Sequence, residues 1–470
     1  MRATMRVARE FLASVKAWRL MLACLVLASF SLAIHSATEQ VVRFLRFEEA
    51  AETLKLFADA GLSTIDVMNS AAWDEWVHKR DAEVRARVDQ GVEDSISNLI
   101  LYGASYTNLP RLENAESASS DTGELTAAAR ARVRALAAAL PNGARNERLR
   151  FVNEFLARKG IAKESVETKL QENLRRLVAE QRSYQEKLKE SEAASDPAAK
   201  LLARGTLFQE RGLSADTSLL PNYALEDTLK TMLRKGAIQP GSMHRILVIG
   251  PGLDFTDKRD GYDFYPIQTI QPFAMLEAVA RLGLGKADEI SVVTADLNAG
   301  VNTHVARMAE RGRAGQPYTV QLPRLVSAEW SVEAVAYWQK FGDILGTPVK
   351  PLPVPASVID VTMRAVAIRP RYAAQMRAYD MNVVTQTLDL PEGQGFDLVV
   401  ATNVLVYYDL FQQVLAMGSI AHMMNHGGIF LANHALPAQH APMLEFLGRR
   451  TVAYTPSGAY GDDVVVYRRR

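Results

Sequence analysis

A single cysteine, Cys24, is all the thiol chemistry this 470-residue chain contains, so no disulfide within it is possible and its folded parts rely on packed cores. Charge of one sign is also lacking. Fifty-four Lys and Arg face 53 Asp and Glu, for a net charge of +1, so no global field recruits nucleic acid or acidic partners. The closing Arg468 to Arg470 are read as a solvated tail. There is no P-loop, no serine nucleophile elbow and no C-x-x-C. Phosphate cradling, acyl transfer and dithiol chemistry therefore have no signature here. His422 and His426 stand one helical turn apart, with His434 and His440 beyond, but the run is H-M-M-N-H. It lacks the glutamate of the zinc motif H-E-x-x-H, and no metal site is expected.

Acidic and basic residues are missing from Leu20 to Thr38, whose centre is LMLACLVLASFSLAI, while Arg2, Arg6, Arg9, Lys16 and Arg19 precede it. A basic flank followed by an apolar run describes a secretory signal, and the run is just long enough for an uncleaved anchor. Cys24 lies inside the run rather than after it, which excludes lipidation there. Residues 1–37 are thus expected to be a signal peptide or membrane anchor, with a buried helix of a cytosolic domain as the alternative. The positive-inside rule sends the chain beyond this run across the membrane. The protein is expected to be exported or membrane-anchored, and to face the cytoplasm only if that topology is inverted.

Residues 38–235 read as a helical region. Phe44, Phe47, Leu54 and Phe57 fall near helical spacing, as do Val92, Ile96, Leu99 and Ile100. Such stripes are core-forming. An alanine-rich helix is expected over Leu125 to Leu140, and a long one over Glu164 to Glu190. In the latter, Leu170, Leu177 and Tyr184 form one seam and Leu174, Gln181 and Leu188 a second, a spacing that can pair with another helix. Ser191 to Ala199 reads as a linker.

From residue 236 the texture changes to short β-branched runs alternating with helical stretches: Arg245 to Ile249, Ile290 to Thr294, Asn382 to Gln386, Phe396 to Ala401 and Gly428 to Ala432. This alternation predicts an α/β domain, 236–470, with a parallel sheet covered on both faces. Thr451 to Thr455 and Val464 to Tyr467, joined by PSGAYGDD, predict a terminal antiparallel hairpin. Gly312 to Arg369 holds six prolines from Pro317 to Pro355 together with Trp330, Tyr337 and Trp338. It is expected to be an insertion that caps the crevice through a short helix, Ser331 to Phe341, beside Asn403 and Tyr407. The alternative is that its aromatics only pack it onto the helical region.

The chemistry-bearing residues lie at the ends of these strands. Gly250-Pro251-Gly252 follows the first, where missing Cβ atoms let backbone approach a ligand. The dinucleotide fingerprint is incomplete, because no third glycine follows in register. Asp296 follows the second strand, where a carboxylate can accept bonds from both hydroxyls of a ribose; the plain alternative is a solvated loop aspartate. Between them, Asp254 to Tyr265 (DFTDKRDGYDFY) is an insertion placed where a lid would lie. Phe396 to Asp409 reads FDLVVATNVLVYYD, and His426 to Leu431 reads HGGIFL.

Over about Arg245 to Arg470 the sequence resembles the class I S-adenosylmethionine (SAM)-dependent methyltransferases. The specific part is Phe396 to His434, whose nearest likeness is to chemotaxis receptor methyltransferases. The resemblance implies a Rossmann-like seven-stranded sheet with a terminal antiparallel hairpin, and SAM as cofactor near Gly250, Gly252, Asp296 and Asn403. It places Asp389 and Leu390 where adenine is held, and Tyr407 either as a substrate-facing catalytic group or as a tyrosine packing on the sheet. The T-x-F-F-R-like motif of the chemotaxis enzymes is absent, with Leu207 to Leu220 (LFQERGLSADTSLL) its faint echo, so a protein-glutamate acceptor is not implied. The methyl acceptor is left open. A methyltransferase is one reading; a non-catalytic, exported or anchored scaffold that keeps the fold is the other, favoured by the conflict between export and a cytoplasmic cofactor.

Overall fold

The computed structural model describes residues 41–59, 69–120, 123–193, 211–256, 262–356 and 358–470. The apolar N-terminal segment lies outside the described residues, as do the linker from residue 194 onward and 257–261 of the Asp254–Tyr265 insertion. Among the described residues no helix is long and apolar enough to cross a membrane.

Runs that are apolar throughout make strands buried on both faces. β1 (Arg245–Ile249), β2 (Ser291–Asp296) and β7 (Phe396–Ala401) are almost entirely buried. With β6 (Arg377–Asp380), β8 (Met424–Ala432), β9 (Leu444–Ala453) and β10 (Gly461–Arg469) they form a seven-stranded sheet of order β9-β10-β8-β7-β1-β2-β6. The pairs β8–β7, β7–β1, β1–β2 and β2–β6 are parallel. β10 runs antiparallel to both β8 and β9.

One strand differs from the sequence expectation. Asn382 to Thr385 is a turn, Gln386 opens the short strand Gln386–Asp389, and the strand at the sheet's edge is Arg377–Asp380 just before the turn. The β-branched pair Val383-Val384 suggests a strand, but the Asn382 side chain accepts the Val384 N–H at 3.1 Å and its carbonyl accepts from Thr385 and Gln386. Asparagine offers the backbone this local alternative to a ladder.

Among the described residues, six helices precede or enter this sheet: α1 (Phe47–Asp59), α2 (Ser70–Tyr102), α3 (Ala127–Ala139), α4 (Glu147–Arg158), α5 (Val166–Ala193) and α6 (Leu220–Arg234). α3 and α5 fall where periodicity places them. Val92, Ile96, Leu99 and Ile100 of α2 share a core with Val133 of α3, Phe155 of α4 and Leu170, Leu174 and Leu177 of α5. α6 is different: Ala224, Leu225 and Leu229 belong to the core of the sheet, with Ile246 and Val248 of β1.

The 312–369 segment folds into a three-stranded antiparallel sheet of order β3-β5-β4, from β3 (Tyr318–Leu325), β4 (Gly346–Val349) and β5 (Val361–Ile368). Its helix, Val332–Lys340, has Ser331 as N-cap, the hydroxyl accepting from Ala334. Tyr337, Trp338 and Phe341 join the core of the large sheet, and Glu277 of the helix Gln271–Arg281 accepts the N–H groups of Gly342 and Ile344.

Candidate active site

In a parallel sheet, the loops that follow the strands share one edge, and ligands bind there. Here α2 crosses that edge and is tied to the loops by polar contacts. Arg85 pairs with Asp380 at the end of β6 at 2.6 Å. Asp81 accepts from Asn382 at 2.8 Å and from Thr385 at 3.1 Å. Arg87 donates to the carbonyl of Tyr407 at 2.9 Å and to that of Arg211 at 2.8 Å.

A strap, residues 211–218, lies between α2 and the glycine loop after β1. Leu213 N–H reaches the carbonyl of Arg87, while Leu253 N–H donates to Ala215 at 2.7 Å and Thr217 N–H to Leu253 at 3.1 Å. Gly252 has φ +63°, and a Cβ there would sit 2.5 Å from the Ala215 carbonyl oxygen; at Gly250, φ +65°, it would meet Val404 at 2.3 Å. The backbone approach that these glycines permit is therefore made to the protein's own chain. Gly91 plays the same part on α2, where a Cβ would fall 1.9 Å from the Leu213 oxygen. Asp216 of the strap accepts from Ser95 at 2.8 Å and Asn98 at 3.1 Å.

Beneath this roof is a cavity of about 750 Å³. Gly250, Gly252, Asp296, Asn403 and Tyr407, five of the residues singled out in the sequence, line it together. Asp296 accepts the Asn298 N–H at 2.7 Å. Burial pushes its carboxyl up to about 7; the Asn298 N–H opposes the shift and nearby Asp380 adds to it. Asn403 is held in the left-handed region, φ 56°. Its N–H donates to the Asn433 side chain at 2.8 Å, and its own side-chain oxygen accepts from Asn433. Tyr407 ends the 3-10 turn Leu405–Tyr407 and is half-buried.

Asp389 and Leu390 are not in the wall. Asp389 ends the short strand Gln386–Asp389 and is exposed. Because the third parallel strand is Arg377–Asp380, the loop after it is Met381 to Thr385, and Met381 and Val383 line the cavity instead. The cap expected over the crevice is also elsewhere: among the described residues of 312–369, none lines the cavity. Trp338 is buried between the guanidinium groups of Arg324 and Arg364, and its indole N–H donates to Leu322 at 3.1 Å. Tyr337 lies against Tyr223 of α6, the rings tilted by 44° at 5.6 Å. These aromatics pack into the core of the large sheet, and not onto the core that α2 to α5 share.

Several wall residues escaped the sequence reading. Asp216 sits in the Leu207–Leu220 segment, where only a faint motif echo marked it. Thr256 is 2% exposed, and its hydroxyl has no hydrogen-bond partner among the described residues. Asp94, Asn98 and Gln181 come from helices whose apolar seams drew attention away from their polar faces.

No protein-family model and no curated protein matches the chain. Solved structures of methyltransferases are similar to it. The N-methyltransferase NodS from Bradyrhizobium japonicum WM9 shares 12% identity over 53% of this chain and 97% of its own, with a TM-score of 0.25. The SAM-bound magnesium protoporphyrin IX methyltransferase of Synechocystis PCC 6803 shares 10% over 61% and 90%, with a TM-score of 0.26. The glycopeptide N-methyltransferase MtfA shares 11% over 52% and 94%, with a TM-score of 0.25. At these values a functional reading stands on the chain's own geometry.

Proposed function

We propose that the protein is a SAM-dependent methyltransferase. The observation that carries this reading is the convergence of the glycine loop after β1, Asp296 after β2 and the Asn403–Tyr407 turn after β7 on one roofed cavity at the carboxyl ends of a seven-stranded sheet. The residues suit the cofactor. Asp296 offers a carboxylate to the ribose hydroxyls, and Met381 and Val383 offer apolar surface to adenine. The glycine loop, through Gly250 and Gly252, offers close backbone to the amino-acid end. SAM, when bound, supplies a methyl group on a sulfonium. The chain's share of the work is to place the acceptor and exclude water, and a base is needed only for an acceptor that must lose a proton. Tyr407, in the wall, is the candidate side chain nearest in kind to such a role.

Titration calorimetry of the full chain with SAM and with its demethylated product, S-adenosylhomocysteine (SAH), tests the proposal. One-site binding of both is expected, weakened by Asp296→Ala. No heat with either ligand would leave the scaffold reading. The finer likeness to chemotaxis receptor enzymes rests on the FDLVVATNVLVYYD stretch alone and brings no receptor substrate with it. For Leu20 to Thr38 the proposal is export or anchoring, with a membrane partner if the segment is uncleaved and no nucleic-acid partner. A reporter active only outside the cytoplasm, fused after Arg470, should be active; activity of a cytoplasmic reporter at that point instead would refute export.

A further inference from the structure

The cavity continues past the strand ends into the helical layer. Asp94, Asn98 and Tyr102 of α2 line it, and so do Leu177, Gln181 and Gln185 of α5. Each trio has the spacing i, i+4, i+8, which puts its members on one face of its helix. The second seam of α5 thus changes character along its length: Leu174 is core, and Gln181, one heptad on, is cavity wall.

The charges of this half are unequal. Asp94, Glu116 and Asp216 line it, against Arg211 as the basic residue among the described ones. Asp94 is 4% exposed. Its partner Arg176, at 2.6 Å, also binds Glu180 at 2.7 Å and lies 3.5 Å from Glu93, so one guanidinium serves three carboxylates. With Lys169, 3.1 Å from Glu93, and Arg211, whose charge also acts on Asp94, three cations stand against the five carboxylates of Glu93, Asp94, Glu116, Glu180 and Asp216 among the described residues. Independently of charge, the Thr256 hydroxyl is buried in the cavity wall with no partner among the described residues. Buried polar groups are ordinarily satisfied, and an orphan in a cavity wall marks a place for a ligand's polar atom.

Resting on the methyltransferase reading, we propose that this half of the cavity is the acceptor site and that it selects a small diamine: the carboxylates hold one amino group as its cation, while the other, having lost its proton to water, forms the new nitrogen–carbon bond as the sulfur–carbon bond of SAM breaks and SAH leaves. An anionic acceptor of the same length would face three carboxylates in a partly dry site, where charge interactions are strong. A neutral one would forgo their attraction. The amides of Asn98, Gln181 and Gln185 can orient the rest of a polar chain.

Calorimetry on the full-length protein saturated with SAH tests this with three probes of equal carbon count: putrescine, butanediol and succinate. Putrescine is expected to bind at least about tenfold more tightly than either of the others, a difference of about 1.4 kcal/mol. Gln181→Lys, which places a cation in the wall, should weaken putrescine at least about tenfold, while SAH titration of the same variant confirms that it is folded. Glu116→Gln, at an exposed side chain, should weaken putrescine in the same direction by less. Succinate binding as tightly as putrescine, equal affinities for all three, or indifference of putrescine binding to both variants would overturn the proposal. If SAH binds and no preference for putrescine exists, only the acceptor assignment falls. If SAH itself does not bind, the methyltransferase reading falls and takes this assignment with it.

Discussion

The helical layer of α1 to α5 and the 312–369 insertion are both additions to the same sheet, but among the described residues only the first reaches the edge that holds the cavity. The layer is joined to the strand ends by polar ties: Asp81 to Asn382, Arg85 to Asp380 and Arg87 to the Tyr407 carbonyl. The insertion is joined through an apolar core that includes Tyr337, Trp338 and Phe341, and through the buried Glu277. Aromatic richness therefore marked the part that packs, and a polar stripe on an otherwise apolar helix marked the part that lines the site. Large amphipathic rings gain most from burial when their single polar atom finds a partner, as the Trp338 indole does at Leu322. A wall that must meet a polar ligand needs amides and carboxylates instead.

The largest effect that sharpens this contrast is expected from Trp338→Ala. Truncating a buried tryptophan costs about 3–5 kcal/mol of stability, read by denaturant unfolding, while SAH affinity measured on the remaining folded protein should not change. A parallel fall in affinity would show that the insertion does reach the site.

Asp296→Ala should do the reverse. Losing bonds to a charged acceptor costs about 1.5–3 kcal/mol of SAH binding, with little loss of stability near pH 8. The sign comes from the raised pKa. In the ligand-free protein the stability owed to protonated Asp296 is full below its ordinary value and is lost as pH rises through about 7. Ribose hydroxyls donate to the ionised form, so SAH affinity should climb between about pH 6 and pH 8, and Asp296→Asn should flatten that profile. An unchanged profile in the variant would take Asp296 out of the site.

At the seam between layer and strap, Gly91→Ala pushes a Cβ against the Leu213 carbonyl. Overpacking of this kind costs about 1–3 kcal/mol. Because the strap also pairs with Leu253 beside the glycine loop, SAH affinity should fall with stability. The smallest effect is expected from Arg87→Met, which removes donors to Arg211 and Tyr407 and should lower SAH affinity by about 1 kcal/mol. Wild-type binding by both variants would detach the helical layer from the site and leave it a mere support.

Much of the sheet was legible because buried parallel strands are continuous apolar runs. Arg245 to Ile249 and Phe396 to Ala401 coincide with β1 and β7 residue for residue. Arg377–Asp380 was not legible: it is short, polar and at the sheet's edge, so it carries no such run, and the neighbouring Val383-Val384 drew the assignment across a turn. That one shift put the expected adenine contact at Asp389 and Leu390, whereas Met381 and Val383 line the cavity. Gly250, Gly252, Asp296, Asn403 and Tyr407 were legible because loops after parallel strands must share an edge, which is a property of topology more than of side-chain chemistry.

Local patterning by itself determined where the buried strands of the sheet and the long helices lie, that the sheet would be largely parallel, and which loops would gather at one edge. These features come from short-range periodicity and from the handed connectivity of such sheets. Only the tertiary structure decided what covers that edge. The strap at 211–218 and the face of α2 that carries Asp94 and Asn98 are brought to the glycine loop by contacts between residues far apart in the chain, such as Arg87 with Tyr407 and Ala215 with Leu253. No pattern within a helical turn or a strand encodes which distant surface a helix will meet, so the roof of the site, unlike its floor, had to be seen folded.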